Sequence, residues 1–316
     1  MRRIWAVGHG DSYFAPLAAA EAFHRWTRLD YTPALSQEMA AYPPRGLDDG
    51  ALVIAVSMSG GVEKTIAAAK AARARGARVL AVTNTTGSPL TEAAHDTIFL
   101  NIAEAVPFLA GTVTYTASLL ALLKIAALLS DLQDRARPPR EALSAAVDAI
   151  RLALASESTL RAWTATHASA PVWYVLGMGA QEATGRYGAA KLVEVADVVG
   201  VAHETEEFFH EHHWVARPEH PVVLLSHDEA SRQRTLAAVA HLRELRIPVA
   251  VVGDVDVSDD VLRVSVPVVE SCTSPLVVAV PLQWLAYWLS RARGLDPDTR
   301  GHLRGSARYV VSRKYR

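Results

Sequence analysis

The chain has 316 residues, of which half are hydrophobic and 21% are charged, and its formal net charge at pH 7 is −1. This length is enough for two domains of ordinary size, and the composition excludes a disordered chain. The balanced charge gives no electrostatic basis for binding nucleic acid or an anionic membrane, so we expect a small-molecule ligand. The single cysteine, Cys272, excludes an internal disulfide and a cysteine-based metal centre.

The amino-terminal sequence lacks the pattern of a signal peptide, because the first predicted strand begins at residue 3. The most apolar stretch, residues 117–129, contains Lys124 and is shorter than the roughly 20 residues that a membrane-spanning helix needs. We therefore expect a cytoplasmic protein with no membrane partner.

Strand and helix patterns alternate along the first half of the chain. The predicted strands lie at residues 3–7, 52–56, 77–83 and near 97–100, and the predicted helices lie at residues 12–26, near 36–41, 62–75 and 111–129. The strands are apolar without alternation, which is typical of a parallel sheet that helices cover on both faces. Ligands bind such sheets at the carboxyl ends of the strands.

The same alternation continues in the second half. A charged run and Pro138-Pro139 indicate the end of the first unit, and one connecting helix is predicted over residues 141–166. The second half has predicted strands at residues 172–176, 222–225, 249–252 and near 262–266, and predicted helices at residues 181–195, 229–245 and 276–290. We therefore predict domains at residues 1–135 and 169–295, a connecting helix within 136–168 and a tail over 296–316.

Two glycine turns indicate an internal repeat. Ser57 follows the turn Gly8-His9-Gly10 by 49 residues counted from Gly8, and Ser226 follows Gly177-Met178-Gly179 by the same interval from Gly177. The repeat predicts two tandem three-layer αβα units of the α/β class, each doubly wound around a flavodoxin-like parallel sheet. Neither turn has the third glycine of a dinucleotide-binding loop, and the chain has no Gly-Lys-Ser/Thr phosphate loop, so we expect no nucleotide cofactor.

The first repeat has the composition of an anion site. Ser57-Met58-Ser59-Gly60-Gly61 joins a predicted strand to a helix whose first amides have no partners within the helix. Gly10 and Ser12 follow the neighbouring strand, and two serine turns at one sheet edge suit a phosphate monoester. Helix capping is the commoner role of serine at such a junction and remains the alternative.

The second repeat has a different set of polar residues. Lys191 and Glu194 share one face of a predicted helix, and His210 follows Glu194 by 16 residues. Only five of the 32 basic residues are lysines, which makes a lysine beside a glutamate a stronger functional candidate than an average one. An exposed ion pair with a surface histidine is the alternative. The run His210-Glu211-His212-His213 offers metal ligands, but adjacent residues on one element rarely converge, so we predict no metal site.

Together, Gly8-x-Gly10-x-Ser12, Ser57-x-Ser59-Gly60 and Lys191-x-x-Glu194 with Glu207-x-x-His210 resemble the sugar isomerase (SIS) domain family. The pattern is most similar to the isomerase half of the glucosamine-6-phosphate synthases, with deglycases and phosphosugar deaminases as relatives. The resemblance implies that Glu194 moves a proton between C1 and C2, that His210 assists ring opening from the partner subunit of a homodimer with shared active sites, and that Lys191 assists Glu194. The phosphate-binding residues that it implies are Ser12, Ser57, Met58, Ser59, Gly60 and Thr65.

The chain departs from the family pattern at three places. Gly61-Val62 stands where the family has Glu-Thr, so one phosphate hydroxyl is missing unless Thr65 replaces it, and residues 106–112 replace the family's Ser-Thr-Lys stretch. Arg304 and Gly305 occupy the place where the synthases have the lysine that forms an imine with the ketose, and Arg304 is the candidate contact there.

The resemblance predicts a cofactor-free isomerase or deaminase of a phosphosugar or amino-phosphosugar. A fructosamine-6-phosphate deglycase, which shares the enolisation step, is one alternative. A non-catalytic phosphosugar-binding regulatory protein, which the altered Ser-Gly-Glu-Thr turn favours, is the other.

Overall fold

The structure is a computed structural model. It describes residues 1–103, 110–133, 140–304, 306–307 and 310–311. Its internal contacts divide the chain into two compact units, the first consisting mainly of Met1–Ala105 and Gly111–Pro139 and the second mainly of Arg140–Ser306. The predicted boundary between residues 135 and 136 lies outside the described residues.

The first unit is built on a five-stranded parallel sheet. Its strands are β1 (Arg3–Gly8), β2 (Asp30–Leu35), β3 (Ala51–Val56), β4 (Arg78–Thr83) and β5 (Asp96–Phe99). They lie in the order β2-β1-β3-β4-β5, which is the flavodoxin-like doubly wound order. The fold class predicted for this half of the chain is confirmed.

Five helices in the described part of the chain accompany this sheet. They are α1 (Asp11–Trp26), α2 (Ser36–Ala41), α3 (Glu63–Ala74), α4 (Pro89–Ala93) and α5 (Val113–Asp131). Helix α1 packs against α5, and α2 packs against α3. Val53 and Ala55 on β3 share a buried cluster with Ala68 and Ala72 on α3. The small alanine side chains let α3 lie close to the sheet, which fixes where its amino terminus meets the end of β3.

The second unit repeats the same topology. Its strands are β6 (Val172–Gly177), β7 (Val199–Glu204), β8 (Val222–Leu225), β9 (Val249–Val252) and β10 (Leu262–Val264). They are parallel and lie in the order β10-β9-β8-β6-β7, which is the order of the first sheet when each unit is counted from its own first strand. The internal repeat inferred from the glycine turns is therefore a repeat of topology.

The helices of the second unit include those assigned from sequence to a connector. They are α6 (Arg140–Ala153), α7 (Glu157–Thr166), α8 (Ala180–Ala196), α9 (Thr205–His210), α10 (Glu229–Glu244), α11 (Ser274–Ala292) and α12 (Gly301–Arg304). The single helix predicted over residues 141–166 is wrong, because a 3₁₀ turn at Leu154–Ser156 separates α6 from α7. The Ser156 hydroxyl donates to the Ala153 carbonyl at 2.8 Å, a local bond that competes with helix propagation. Both helices pack against α11.

Two described helices are long and apolar enough, by length and composition alone, to cross a membrane. They are Val113–Asp131, whose most apolar window is 50% buried, and Ser271–Ala292, whose window is 78% buried. The first packs on α1, and α11 within the second packs on α8 and α7. Packing inside each unit accounts for their apolar composition.

Candidate active site

The turns after β1 and β6 have the same backbone shape. Gly10 has φ 53° and ψ −130°, Gly179 has φ 56° and ψ −130°, and each precedes a helix that has no side-chain cap. A positive φ favours glycine, which explains why both turns keep one there. A side chain at Gly8 would place its Cβ 2.0 Å from the Ser12 carbonyl oxygen, so the first helix starts tight against the strand.

Ser57 is buried at the end of β3, and its hydroxyl oxygen has no hydrogen-bond partner among the described residues. Its backbone is held, because the Ser57 amide donates to the Val82 carbonyl at 3.0 Å and the Gly60 amide donates to the Ser57 carbonyl at 3.1 Å. Gly60 has φ +59°, and a Cβ there would lie 2.0 Å from the Ser88 hydroxyl oxygen. The turn is therefore fixed by its backbone bonds, while the buried Ser57 hydroxyl has no partner among the described residues and needs one.

The serines of this turn do not cap helix α3. The residue at its N-cap is Val62, whose side chain makes no cap hydrogen bond, and among the described residues no serine of this turn accepts from the amides of α3. The exposed Ser59 accepts from the Gly61 amide at 3.3 Å, outside the helix. The amino terminus of α3 is therefore open to an anion, which favours the binding interpretation of the serines over the capping alternative.

Met58 faces the interior of the first unit. Its carbonyl accepts from the Asn84 amide at 3.0 Å and from the Thr83 hydroxyl at 3.1 Å. Its sulfur lies 3.6 Å from the Ser118 hydroxyl oxygen. These contacts hold the turn against β4 and α5 and assign Met58 a supporting position.

Thr65 and Ser12 complete the residues predicted to bind phosphate. Thr65 is buried, and its hydroxyl oxygen lies 3.1 Å from that of Ser36, which links α3 to α2. Ser12 is partly buried in the first turn of α1. Because β1 and β3 are neighbours, with Val7 opposite Ala55, Ser12 and Ser57 follow adjacent strand ends.

The carboxylate of Glu194 lies on helix α8 beside an almost fully buried lysine. The Lys191 ammonium nitrogen is 2.5 Å from Glu194 Oε2, and the two side chains are 4% and 30% exposed. The ammonium also lies 5.5 Å from the centre of the buried Tyr187 ring. A buried ammonium needs a paired carboxylate, so the predicted Lys–Glu pair is held by the fold and differs from an ordinary surface pair.

Arg300 is a second cation on Glu194, and the sequence analysis missed it. Its guanidinium donates to Glu194 Oε1. The Asp296 carboxylate accepts from the Asp298 amide at 3.2 Å and from the Thr299 hydroxyl at 2.8 Å, and these bonds lower the pKa of Asp296. This turn leads into Arg300, whose φ is +48°. The Asp296-Pro297-Asp298 sequence predicts a turn. No local sequence pattern predicts that Arg300 contacts Glu194, which lies 106 residues earlier.

Two further candidates, Arg304 and Gly305, lie next to each other at the C-terminal end. The backbone of Arg304 ends α12, whereas its side chain and Gly305 lie outside the described parts of the chain. The stretch over residues 106–109 lies outside them too.

His210 is apart from the Glu194 pair. It ends helix α9, its side chain is 67% exposed, and its ring lies 3.5 Å from the Glu206 carboxylate. Within the described residues, the polar partners of Glu194 are Lys191 and Arg300. The structure therefore brings together Lys191 and Glu194 but not His210, whose predicted role in a partner's site stays a prediction.

A cluster of histidines with one carboxylate lies near His210. His203 Nε2 and His212 Nδ1 lie 3.9 Å and 3.5 Å from Glu211 Oε2. Burial, and then the nearby His212 ring, lower the pKa of His203. No local sequence pattern indicates this cluster, because His203 joins Glu211 and His212 from a different element, β7.

The SIS domain family matches residues 1–128 and 168–289, the two halves that carry the two sheets. The chain belongs to the SIS domain family.

Among its relatives, the glutamine–fructose-6-phosphate aminotransferase (isomerizing) of Pyrobaculum aerophilum is 31% identical over 309 residues, covering 94% of this chain and 50% of the relative. The chain thus spans about half the length of the curated relatives that it matches. The C-terminal domain of glucosamine-fructose-6-phosphate aminotransferase from Francisella tularensis superposes with a TM-score of 0.88 at 17% identity, over 94% of this chain and 86% of that one. Glucosamine-6-phosphate deaminase from Thermotoga maritima superposes with a TM-score of 0.80 at 19% identity, over 96% and 89%.

By their names, these relatives are enzymes of sugar phosphates, either an isomerizing aminotransferase or a deaminase. Because the solved structures are only 17% and 19% identical to this chain, they show its fold and do not show its activity.

Proposed function

We propose that this protein is an enzyme that moves a proton between C1 and C2 of a phosphorylated sugar or amino sugar. The observation that carries the proposal is the Glu194 carboxylate, which is partly exposed and is flanked by the buried Lys191 and by Arg300. A carboxylate in a fixed position is a suitable general base for a proton next to a carbonyl.

The two cations have a chemical use in this proposal. Proton removal from C2 of an open-chain aldose gives an enediolate. The hydroxyl proton of O2 then moves to O1, and return of the abstracted proton to C1 gives the ketose. Negative charge develops on the oxygen during the first step, and a fixed ammonium or guanidinium close to that charge lowers the barrier. Lys191 and Arg300 are the cations that contact the base, and we assign this role to them.

We propose that the serine turn of the first unit binds the phosphate. Support comes from the buried Ser57 hydroxyl without a partner and from the open amino terminus of α3. Ser12 and Ser59 supply further hydroxyls near the same strand ends, and Gly60 lets the backbone approach the ligand. Thr65 replaces the missing family threonine only if its hydroxyl, which lies 3.1 Å from Ser36, also reaches the phosphate.

We propose in addition that two chains form a homodimer in which His210 of one chain assists ring opening in the site of the other. The exposure of His210 and the lack of any contact between it and Glu194, among the described residues, support this assignment. Proton transfer of this kind needs no cofactor.

Isomerisation, deamination and deglycation share the enolisation step, so the Glu194 geometry serves all three. A non-catalytic sensor of phosphosugars is a second candidate, favoured by Gly61-Val62 and Gly305 at positions where the family has reactive or phosphate-binding side chains. Turnover separates the sensor from the enzymes.

The test is exchange of carbon-bound protons with D₂O, followed by proton NMR, at C2 of glucosamine 6-phosphate and at C1 of fructose 6-phosphate. The proposal predicts loss of the C2 proton signal of glucosamine 6-phosphate or of a C1 proton signal of fructose 6-phosphate, and no exchange with the unphosphorylated sugars. The product then distinguishes the reactions, since an aldose indicates isomerisation and released ammonia indicates deamination. Tight binding of a sugar phosphate without exchange would favour the sensor.

A further inference from the structure

Three possible metal ligands gather on one side of the second unit. His203 lies near the end of β7, Glu211 follows helix α9, and His212 begins the next 3₁₀ turn. The chain leaves the strand, makes the one short helix and returns, so residues eight and nine positions beyond His203 meet it again. One donor atom from each of the three side chains lies within 4.8 Å of the other two.

The distances in this cluster fit metal ligands better than hydrogen bonds. The two nitrogen-to-oxygen distances, 3.5 Å and 3.9 Å, exceed the usual limit of about 3.2 Å for an N–H···O bond. Two ligands that bind Zn²⁺ at about 2.1 Å with a tetrahedral angle lie about 3.4 Å apart. Both imidazoles approach the same carboxylate oxygen, at separations close to the edge of such a tetrahedron.

The surroundings fix the rings and leave a donor atom available. The His203 and His212 rings lie 4.2 Å apart, and the His212 ring packs at 5.9 Å against the buried Tyr174. His212 Nδ1 is buried and has no hydrogen-bond partner among the described residues. A buried nitrogen of this kind needs a partner, and a cation would supply one.

Charged groups of both signs lie near the cluster. Glu207 acts on His203 together with Glu211, and both carboxylates favour positive charge there. The nearby Arg186 opposes it, but Arg186 is paired with Glu182 at 2.7 Å.

We propose that His203, Glu211 and His212 form a binding site for one divalent transition-metal ion, with Zn²⁺ as the ion that the ligand set fits best. Two imidazoles and one carboxylate are a common protein ligand set for zinc, with a water molecule in the fourth position. The site is separate from the Glu194 pair and does not depend on the proposed reaction.

The consequence of metal binding is local order. The ion would tie the residues after α9 to β7 and close a loop of eight or nine residues. That loop carries Glu207 and His210, so the metal would fix the position of a helix that otherwise ends at an exposed side chain.

The test uses untagged, EDTA-treated full-length protein and two probes. Zn²⁺ is titrated by calorimetry, and Co²⁺ is titrated by visible absorption, which reports tetrahedral coordination. We expect one ion per chain and a rise in melting temperature with Zn²⁺, because binding to the folded state stabilises it. His203→Ala and His212→Ala should each weaken Zn²⁺ binding by more than about 10-fold. Loss of a residue that only supports a metal ligand already costs about that much, and loss of a ligand should cost more.

His213→Ala is the matched control. His213 is adjacent to a proposed ligand, but its ring packs against Trp214 at 4.2 Å and His241 at 5.8 Å. This variant should bind Zn²⁺ like the wild type. Glu211→Gln tests the carboxylate with little change of shape, and circular dichroism confirms that each variant folds. The proposal would be overturned if the wild type did not bind Zn²⁺. It would also be overturned if the wild type and all the ligand variants bound Zn²⁺ equally tightly.

Discussion

The two units share their sheet order and their first glycine turn, yet they differ where the next core strand meets its helix. In the first unit, Ser57 keeps a buried hydroxyl without a partner among the described residues, and α3 has no side-chain cap. In the second unit, Asp228 accepts from the Ser231 amide at 2.8 Å, and the Ser231 hydroxyl accepts from the Asp228 amide at 3.1 Å. Ser226 there lies 3.3 Å from the Ser231 hydroxyl oxygen.

The backbone of a strand-to-helix turn is therefore not sufficient to make an anion site. Each helix begins after the corresponding strand of its own sheet, but in the second unit the Asp228 carboxylate already caps the amino terminus of α10 as an internal anion. The first helix lacks such a group and can accept one from a ligand. The second unit instead carries its charged pair one helix earlier, on α8. Binding by the first unit and chemistry by the second is the division of labour that the following predictions test.

The largest expected effect is at the proposed base. Glu194→Gln keeps the shape and removes the base, so C2 exchange should fall by about 10²–10⁴-fold while affinity for the sugar phosphate changes little. Deuterium exchange measured beside a binding titration checks both quantities. Glu182→Gln, on the same helix and paired with the exposed Arg186, should exchange like the wild type. An affinity loss as large as the rate loss would contradict the assignment of binding to the first unit and of chemistry to the second.

The next effect concerns the unpartnered hydroxyl. Ser57→Ala should weaken binding of inorganic phosphate or a sugar phosphate by about 1.5–3 kcal/mol, the value of a hydrogen bond to a charged group. Calorimetry measures the affinity. Protein stability should hardly change, because no bond of the described fold is lost. Ser226→Ala is the control at the matching position and should leave phosphate binding intact. Equal losses in the two variants would contradict the comparison.

A third prediction concerns stability at the two helix starts. Asp228→Ala removes the cap of α10 and should lower the free energy of unfolding by about 0.5–2 kcal/mol, whereas Asp228→Asn should restore most of it. Val62→Ala, at the N-cap of α3, should cost much less, since Val62 makes no side-chain cap bond. Urea unfolding followed by circular dichroism gives the comparison. Similar costs for both alanine variants would show that the ends are not different.

The smallest expected effect is a pH dependence of stability at the first glycine turn. His9 lies in this turn at the position that corresponds to Met178 in the second turn. Burial lowers the pKa of His9, and its ring nitrogen accepts a bond from the Gln37 amide at 3.3 Å. The unfolded chain therefore binds protons more strongly, and stability should fall as the pH drops below about 6.5. His9→Met should reduce that fall. Urea midpoints at pH 7.5 and 5.5 in phosphate-free buffer check it, and an unchanged pH dependence would count against it.

The central strands and the glycine turns could be predicted from sequence because their signals are local. Apolar runs mark β3 and β8, and the 49-residue interval repeats. The edge strands β2 and β7 could not be predicted in the same way. Strand β2 contains Asp30 and Pro33, and most of its residues are at least partly exposed. An edge strand tolerates proline and polar residues, so its sequence resembles a loop.

The candidate sites follow the same rule. Lys191 and Glu194 were predictable because a three-residue spacing on one helix brings them together. Arg300 and His203 were not predictable, because the residues that they contact are distant in sequence. Folding of the backbone brings these residues together. The interruption between α6 and α7 was missed because Leu154–Ser156 has no glycine or proline to signal a break.

The most direct test of the division between the units is the response of backbone amides to a titrated anion, observed by TROSY NMR of labelled protein with inorganic phosphate and with fructose 6-phosphate. The anion should bind where the helix start is open and not where Asp228 caps it. We predict concentration-dependent shifts for the amides of Ser57, Ser59 and Glu63, and none for those of Asp228 and Ser231. Shifts at Asp228 and Ser231 without shifts at the first three amides would contradict the account.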